Sequence, residues 1–275
     1  MLAVLEDRAV IRLSGPDCRS FVQGLITQDL ESLQPGGLRY GALLTPQGRL
    51  RFDLIIYGEA DGLALDVAAG ARDELVQALT LYRLRAKVQI TPSAEPVLAA
   101  WGDASPGDGW RPDPRLAGLG WRRLAETAQE GDGDYAAHRR SLGLADPAVD
   151  AIEPLYPIEA NLDLLNGIDF KKGCFVGQET TSRMKRRGPV KTRIAPIAYE
   201  GAPLEPGQEV TAGELRAGRV LSGGLAAGGG GLSLALLRID RAVNQALSVG
   251  NRPVRLDLPP WLQAAFVLEK VQAEA

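Results

Sequence analysis

Three apolar stretches near the start of the chain, Leu38–Leu44, Leu50–Tyr57 and Leu63–Val67, are separated only by the turn sequences Thr45-Pro-Gln-Gly and Glu59-Ala-Asp-Gly. Connections that short cannot hold a crossover helix, so the three can pair only as antiparallel neighbours. Upstream, Val10-Ile-Arg-Leu alternates as a strand does, and Ser14-Gly-Pro-Asp opens a helix with Pro16 in its first turn. Cys18, Phe21, Val22 and Leu25 follow at i, i+3, i+4 and i+7, one apolar stripe that predicts a buried helix face and a packed, unreactive Cys18. A helix over 72–84 and a strand at Lys87–Ile90 complete a first α+β unit.

Residues 103–115 are crowded with Gly, Pro and Asp and mark a junction. Past Lys191 the chain becomes short β-like segments, Val190–Tyr199, Leu215–Leu221, Leu232–Ile239 and Val254–Leu258, with no convincing helix between them. That pattern predicts a small C-terminal barrel or sandwich. The run of four glycines from Gly228 reads as a loose hairpin tip, because it lacks the lysine and hydroxyl that complete a phosphate loop.

Composition narrows the function classes. The apolar stretches fall far short of the roughly 20 residues a membrane span needs. The start, Met1-Leu-Ala-Val-Leu-Glu-Asp, has neither a basic leader nor an Arg/Ser-rich character, and reads as cytoplasmic. Two distant cysteines, Cys18 and Cys174, exclude a disulfide scaffold and a self-contained zinc or cluster site, which takes about four ligands. No bound metal is expected. One histidine, His138, leaves no basis for a His triad.

Between Lys171 and Arg193 stand eight basic residues (Lys171, Lys172, Arg183, Lys185, Arg186, Arg187, Lys191, Arg193) against Glu179 alone, in a chain of net charge −3. Such segregation reads either as an anion-binding face or as a solvated helix flank. Cys174 heads the segment, just before a stretch of helical character. Neighbouring lysines and a helix N-terminus both favour thiolate over thiol, whereas Phe175 and Val176 beside it fit a buried cysteine equally well.

The octapeptide Lys172-Gly-Cys-Phe-Val-Gly-Gln-Glu resembles, at all eight positions, the K-G-C-(aromatic)-x-G-Q-E signature of the YgfZ family and its mitochondrial iron-sulfur assembly relatives. The resemblance continues through Phe21-Val-Gln-Gly-Leu-Ile-Thr-Gln-Asp, Leu44-Thr-Pro-Gln-Gly-Arg-Leu, Tyr82-Arg-Leu-Arg-Ala-Lys-Val and Pro157-Ile-Glu-Ala-Asn-Leu-Asp, in that order. It implies an α+β, aminomethyltransferase-like fold. Residues 1–193 would form a folate-binding region of two intertwined α+β subdomains, and residues 194–275 a small β-barrel. Tetrahydrofolate or a derivative would lie in a central channel.

The same resemblance implies roles. Glu159, with Asn161 close by, would grip the pterin, as a carboxylate can by accepting two parallel N–H bonds. The alternative is a glutamate at a helix N-terminus after Pro157. Asp53 and Tyr57 resemble the transferase strand that bears a catalytic aspartate and a folate-contacting tyrosine, although Phe52 replaces a second acid there. Asp53 could equally be an outward strand residue. Cys174, with Lys172, would carry the function, and Arg183 would contact the folate. Folate with a polyglutamate tail, RNA or an acidic protein partner would each suit the basic segment. The expected role is a folate-binding accessory protein for iron-sulfur clusters in client enzymes, including radical enzymes that modify tRNA, with clients or assembly factors as partners. The alternative is a one-carbon transferase using Asp53. An RNA-binding module is disfavoured, because no aromatic residue interleaves with the basic run.

Overall fold

A computed structural model describes residues 1–102, 106–127, 131–150, 154–186, 190–225 and 230–274. Arg187, Gly228, Gly229 and the first three residues of the 103–115 junction lie outside the described residues. The chain divides into two units. The first is Met1–Tyr135 with Leu165–Gln178, and the second is Ala136–Leu164 with Glu179–Ala275. The expected division at 193/194 falls within a strand of the second unit, Thr192–Glu200.

The first unit holds β1 (Leu2–Val4), β2 (Arg8–Ser14), α1 (Cys18–Gln23), β3 (Leu38–Leu44), β4 (Leu50–Gly58), β5 (Gly62–Ala68), α2 (Arg72–Arg83), β6 (Gln89–Ser93), β7 (Val97–Ala100), β8 (Arg111–Pro112) and β9 (Trp121–Leu124). Every pairing is antiparallel, in a five-stranded sheet ordered β3-β4-β5-β2-β6 and a four-stranded sheet ordered β1-β7-β9-β8. The two-residue period of a strand sorts the larger sheet into two faces. Phe52, Leu54, Ile56, Leu63, Leu65 and Val67 share one core with Cys18 and Val22 of α1 and Leu75, Ala78 and Leu79 of α2. The intervening residues, Asp53, Ile55 and Tyr57 on β4 and Asp66 on β5, take the reverse face, and all four are buried.

In the second unit, α3 (Tyr135–Ser141) and α5 (Gln178–Arg186), the first residue of each belonging to the first unit, and α4 (Pro147–Asp150) precede β10 (Thr192–Glu200), β11 (Glu209–Ala212), β12 (Leu215–Leu225), β13 (Gly230–Arg238), α6 (Ile239–Ala242), β14 (Leu247–Val249), β15 (Arg252–Leu256) and α7 (Pro260–Glu274). The six strands close as β10-β13-β12-β11-β14-β15, the seam being Ile197↔Leu256, Ala198↔Arg255 and Tyr199↔Val254. Closure leaves no unpaired edge. The barrel core takes in Ile197, Val210, Val220, Leu237 and Val254, together with Leu262 and Phe266 of α7. The short α6 corrects the expectation of no helix between the β segments past Lys191, and α7 follows the last of them. Pro260 sits at the first position of α7, where its missing N–H is harmless, and Leu262 and Phe266 supply the i, i+4 pair that buries it.

Candidate functional site at the Cys174 loop

The loop that carries Cys174 is built by its neighbours in the octapeptide. Asp169 Oδ1 accepts the backbone N–H groups of Lys171 and Lys172 at 2.7 and 3.2 Å, and its own N–H donates to Thr27 O. Lys172 then turns back toward α1. Its Nζ donates to Gln23 O, Ile26 O and Gln28 O at 2.7, 2.8 and 3.0 Å, and lies 5.6 Å from the centre of the Phe175 ring. Those carbonyls end α1 and the turn after it, where no further helical N–H is available to them. Burial pulls this ammonium down to about 8, against the charges of Asp29, Asp169 and Glu31.

Phe175 is buried, and Gln178 Nε2 reaches back to Gly173 O at 3.4 Å. Gly177 has φ +78, and a Cβ there would stand 2.7 Å from Thr45 O and 2.9 Å from Gly48 Cα. Only glycine lets the loop lie against the β3–β4 turn in that way. Gly173, in contrast, has nothing within 4 Å of its Cβ direction. The result is an anchored loop in which Cys174 is exposed, while Cys18 is buried with its thiol pushed up to about 11 by burial.

Two grounds for an activated sulfur change. α5 begins at Gln178, four residues past Cys174, and the Lys172 ammonium is committed to carbonyls rather than offered to the thiol. The basic segment is also thinned. Arg193 is buried in a two-bonded pair with Asp163 at 2.9 Å, and Lys185 lies 3.9 Å from the same carboxylate. Lys171, Arg183, Arg186 and Lys191 are exposed.

The expected folate contacts divide between the units. Asp53 is sealed on the reverse face, 3.9 Å from the Arg8 guanidinium. Tyr57, on the same face, is buried beside Arg122, and that burial raises its hydroxyl well above the ordinary tyrosine range. In the second unit, Asn161 is buried in a left-handed conformation (φ +61), donates to Ile194 O at 2.9 Å and accepts from Arg193 at 3.2 Å. Glu159 is partly exposed, and its Oε2 accepts the backbone N–H of Tyr156, three residues back, at 2.9 Å. Of the five, Glu159 and Arg183 are at least partly open to solvent, whereas Asp53, Tyr57 and Asn161 are buried.

Sequence reasoning missed the network beside Asp53 and Tyr57. Asp66 binds Arg8 and Arg122 at 2.6 Å each, Arg122 approaches Asp113 at 3.5 Å, and Arg115 holds Asp113 through two bonds while donating to Tyr135 Oη at 2.9 Å. A charged residue between apolar ones within a strand, as in Leu65-Asp66-Val67, is the local signal of such a network. Beside it, a cavity of about 460 Å³ is lined by Gln28, Arg39, Tyr40, Arg111, Asp113 and Asn166. Among the described residues, no group of three or more His, Cys, Asp or Glu side chains could hold a metal ion.

Comparison with known proteins settles the kinship. Residues 191–264 match the family described as CAF17, C-terminal beta-barrel domain. The iron-sulfur cluster assembly factors IBA57, mitochondrial, of Mus musculus and Homo sapiens are each 32% identical, over 85% of this chain and 76% of theirs. The chain belongs to the IBA57 family. Its IBA57 homologue in Neurospora crassa is 33% identical over 75% of this chain, which spans 57% of that relative's length, and the match in Mycosarcoma maydis covers 59% of its own. The crystal structure of the glycine cleavage system aminomethyltransferase T from Bartonella henselae superposes with a TM-score of 0.71, at 17% identity, over 98% of this chain and 86% of that one. The fold is therefore aminomethyltransferase-like with a C-terminal six-stranded barrel. These IBA57 relatives are named as mitochondrial, which overturns the expectation of a cytoplasmic protein. That expectation rested on the first residues of the chain, whose composition does not decide the compartment.

Proposed function

We propose that this chain is an accessory factor of iron-sulfur cluster assembly, of the YgfZ type, that presents Cys174 as a ligand for a cluster in transit in the mitochondrial setting of its relatives. The observation that carries the reading is the exposed thiol on a loop anchored by Lys172, Phe175 and Gly177. One thiolate is a quarter of the usual ligand set, so the cluster is cargo and the remaining ligands come from a client enzyme or assembly protein. Clients include radical enzymes that modify tRNA. A tetrahydrofolate is held through Glu159, with Arg183 available to its anionic tail; bound there, it would supply a one-carbon and redox-active pterin. The transferase alternative finds no support, because Asp53 is sealed beside Arg8.

In cells lacking this protein, Cys174→Ala is expected to fold, to change stability by less than roughly 0.5 kcal/mol, and to fail to restore an iron-sulfur enzyme. Restoration at the wild-type level removes Cys174 from the function. In calorimetric titration with tetrahydrofolate, Glu159→Ala is expected to weaken binding by about 1–3 kcal/mol. Unchanged affinity removes Glu159 from the site.

A further inference from the structure

The segment Tyr82-Arg-Leu-Arg-Ala-Lys-Val takes no part in the site above. α2 buries Leu75, Ala78 and Leu79 and leaves Gln77 and Leu81, spaced i and i+4, in solvent, and Leu84, the residue after its last turn, is exposed as well. Leu81 is 75% exposed and Leu84 87%. Leu84 also has φ +45 and ψ −106, the shape of the first central residue of a type II′ turn, and the turn is closed by Ala86 N–H to Arg83 O at 2.8 Å. Glycine is the ordinary occupant of that position, because an L side chain crowds the backbone there. A leucine held in this conformation with its side chain in water gains no packing inside its own chain. Backbone strain of this kind marks segments that act on something else.

The surroundings indicate what that is. Arg83, Arg85 and Lys87 carry three positive charges between Leu81 and Ile90 with no acid among them, in a chain of net charge −3. Arg85 and Lys87 are exposed, and the nearby Asp17 spends a carboxylate oxygen on the Lys87 backbone N–H at 2.7 Å. A two-fold pairing of this patch with its copy would set like charges against each other.

We propose that the Leu81–Lys87 corner docks an acidic amphipathic segment of a partner protein, its apolar side chains on Leu81 and Leu84 and its carboxylates on Arg85 and Lys87. The inference is independent of the reading of Cys174. A photoreactive benzoylphenylalanine in place of Gln77 in the full chain, irradiated in cells, is expected to crosslink to one protein segment in which acidic residues flank apolar ones. With that protein purified, its affinity is expected to fall at least tenfold for Leu84→Gly and for the pair Arg85→Glu, Lys87→Glu. Leu84→Gly is also expected to raise Tm, because the turn is relieved. The proposal is overturned by crosslinking only to a second copy, to lipid or to a segment without acids, by no crosslink, by unchanged affinity in either variant, or by a lowered Tm for Leu84→Gly.

Discussion

Arg122 donates to Asp66 Oδ2 at 2.6 Å, and both side chains are closed off from solvent. The same carboxylate takes Arg8 Nε at 2.6 Å through its other oxygen. One aspartate thus holds two guanidiniums, from β2 and β9, in the dry face of the larger sheet. Its removal leaves Arg8 with the more distant Asp53, at 3.9 Å, and Arg122 with the more distant Asp113, at 3.5 Å, among the carboxylates described. Asp66→Asn is expected to lower stability by about 3–5 kcal/mol, the usual result of removing one partner of a buried ion pair, as read by urea denaturation. A loss below about 1 kcal/mol would mean that water reaches the network.

Acid should act on the same network through Asp113. Burial works to raise this carboxyl, but the charge and hydrogen bonds of Arg115, aided by Arg122, outweigh it and hold the group at about 2 against an ordinary 3.8. A folded-state value below the unfolded one means that the unfolded chain binds the proton first as pH falls. The stability Asp113 contributes is therefore complete above 3.8 and is lost as pH falls through about 2. Denaturation at a series of pH values should give wild type a steeper decline across that window than Asp113→Asn, which starts lower. Parallel curves would exclude Asp113 as the titrating group.

Two glycines of the octapeptide make a matched pair. Gly177→Ala forces a Cβ to 2.7 Å from Thr45 O at a positive φ, whereas Gly173→Ala meets open space. The first is expected to cost roughly 1–3 kcal/mol, and to speed protease cleavage within residues 169–178. The second should stay within about 0.5 kcal/mol of wild type. Equal effects of the two in thermal denaturation would show that the loop is not fixed at Gly177.

Local chemistry wrote part of this molecule into its sequence. β3 spans Leu38–Leu44 as the apolar pattern and the following Thr45-Pro-Gln-Gly turn predict, and α2 ends within one residue of its expected limit. Cys18 is buried as its apolar stripe implies, and of the two readings its surroundings left open, Cys174 takes the exposed one. What stayed illegible depends on partners distant in the chain. Asp66 and Arg122 are 56 residues apart, and Lys172 and the Gln23 carbonyl 149, so no window of sequence holds both members of either contact. Arg193 looked like one more surface charge until Asp163, thirty residues earlier, enclosed it. The start of α5 was not legible, because Cys174-Phe-Val-Gly carries helical-looking apolar residues, while Gly177 in a left-handed conformation holds the helix off until Gln178.

The chain leaves its first unit after Tyr135 and re-enters it at Leu165, and translation runs at about 5–20 residues per second. On a ribosome, the α1 carbonyls that Lys172 covers are therefore made roughly 7–30 s before Lys172 itself, at that rate across the intervening chain. A product that stops short of residue 172 has an uncapped α1 and no Cys174. The ammonium that closes the first unit and the thiol it displays are polymerised two residues apart, so the sulfur reaches solvent only on a chain that already contains its own fastening.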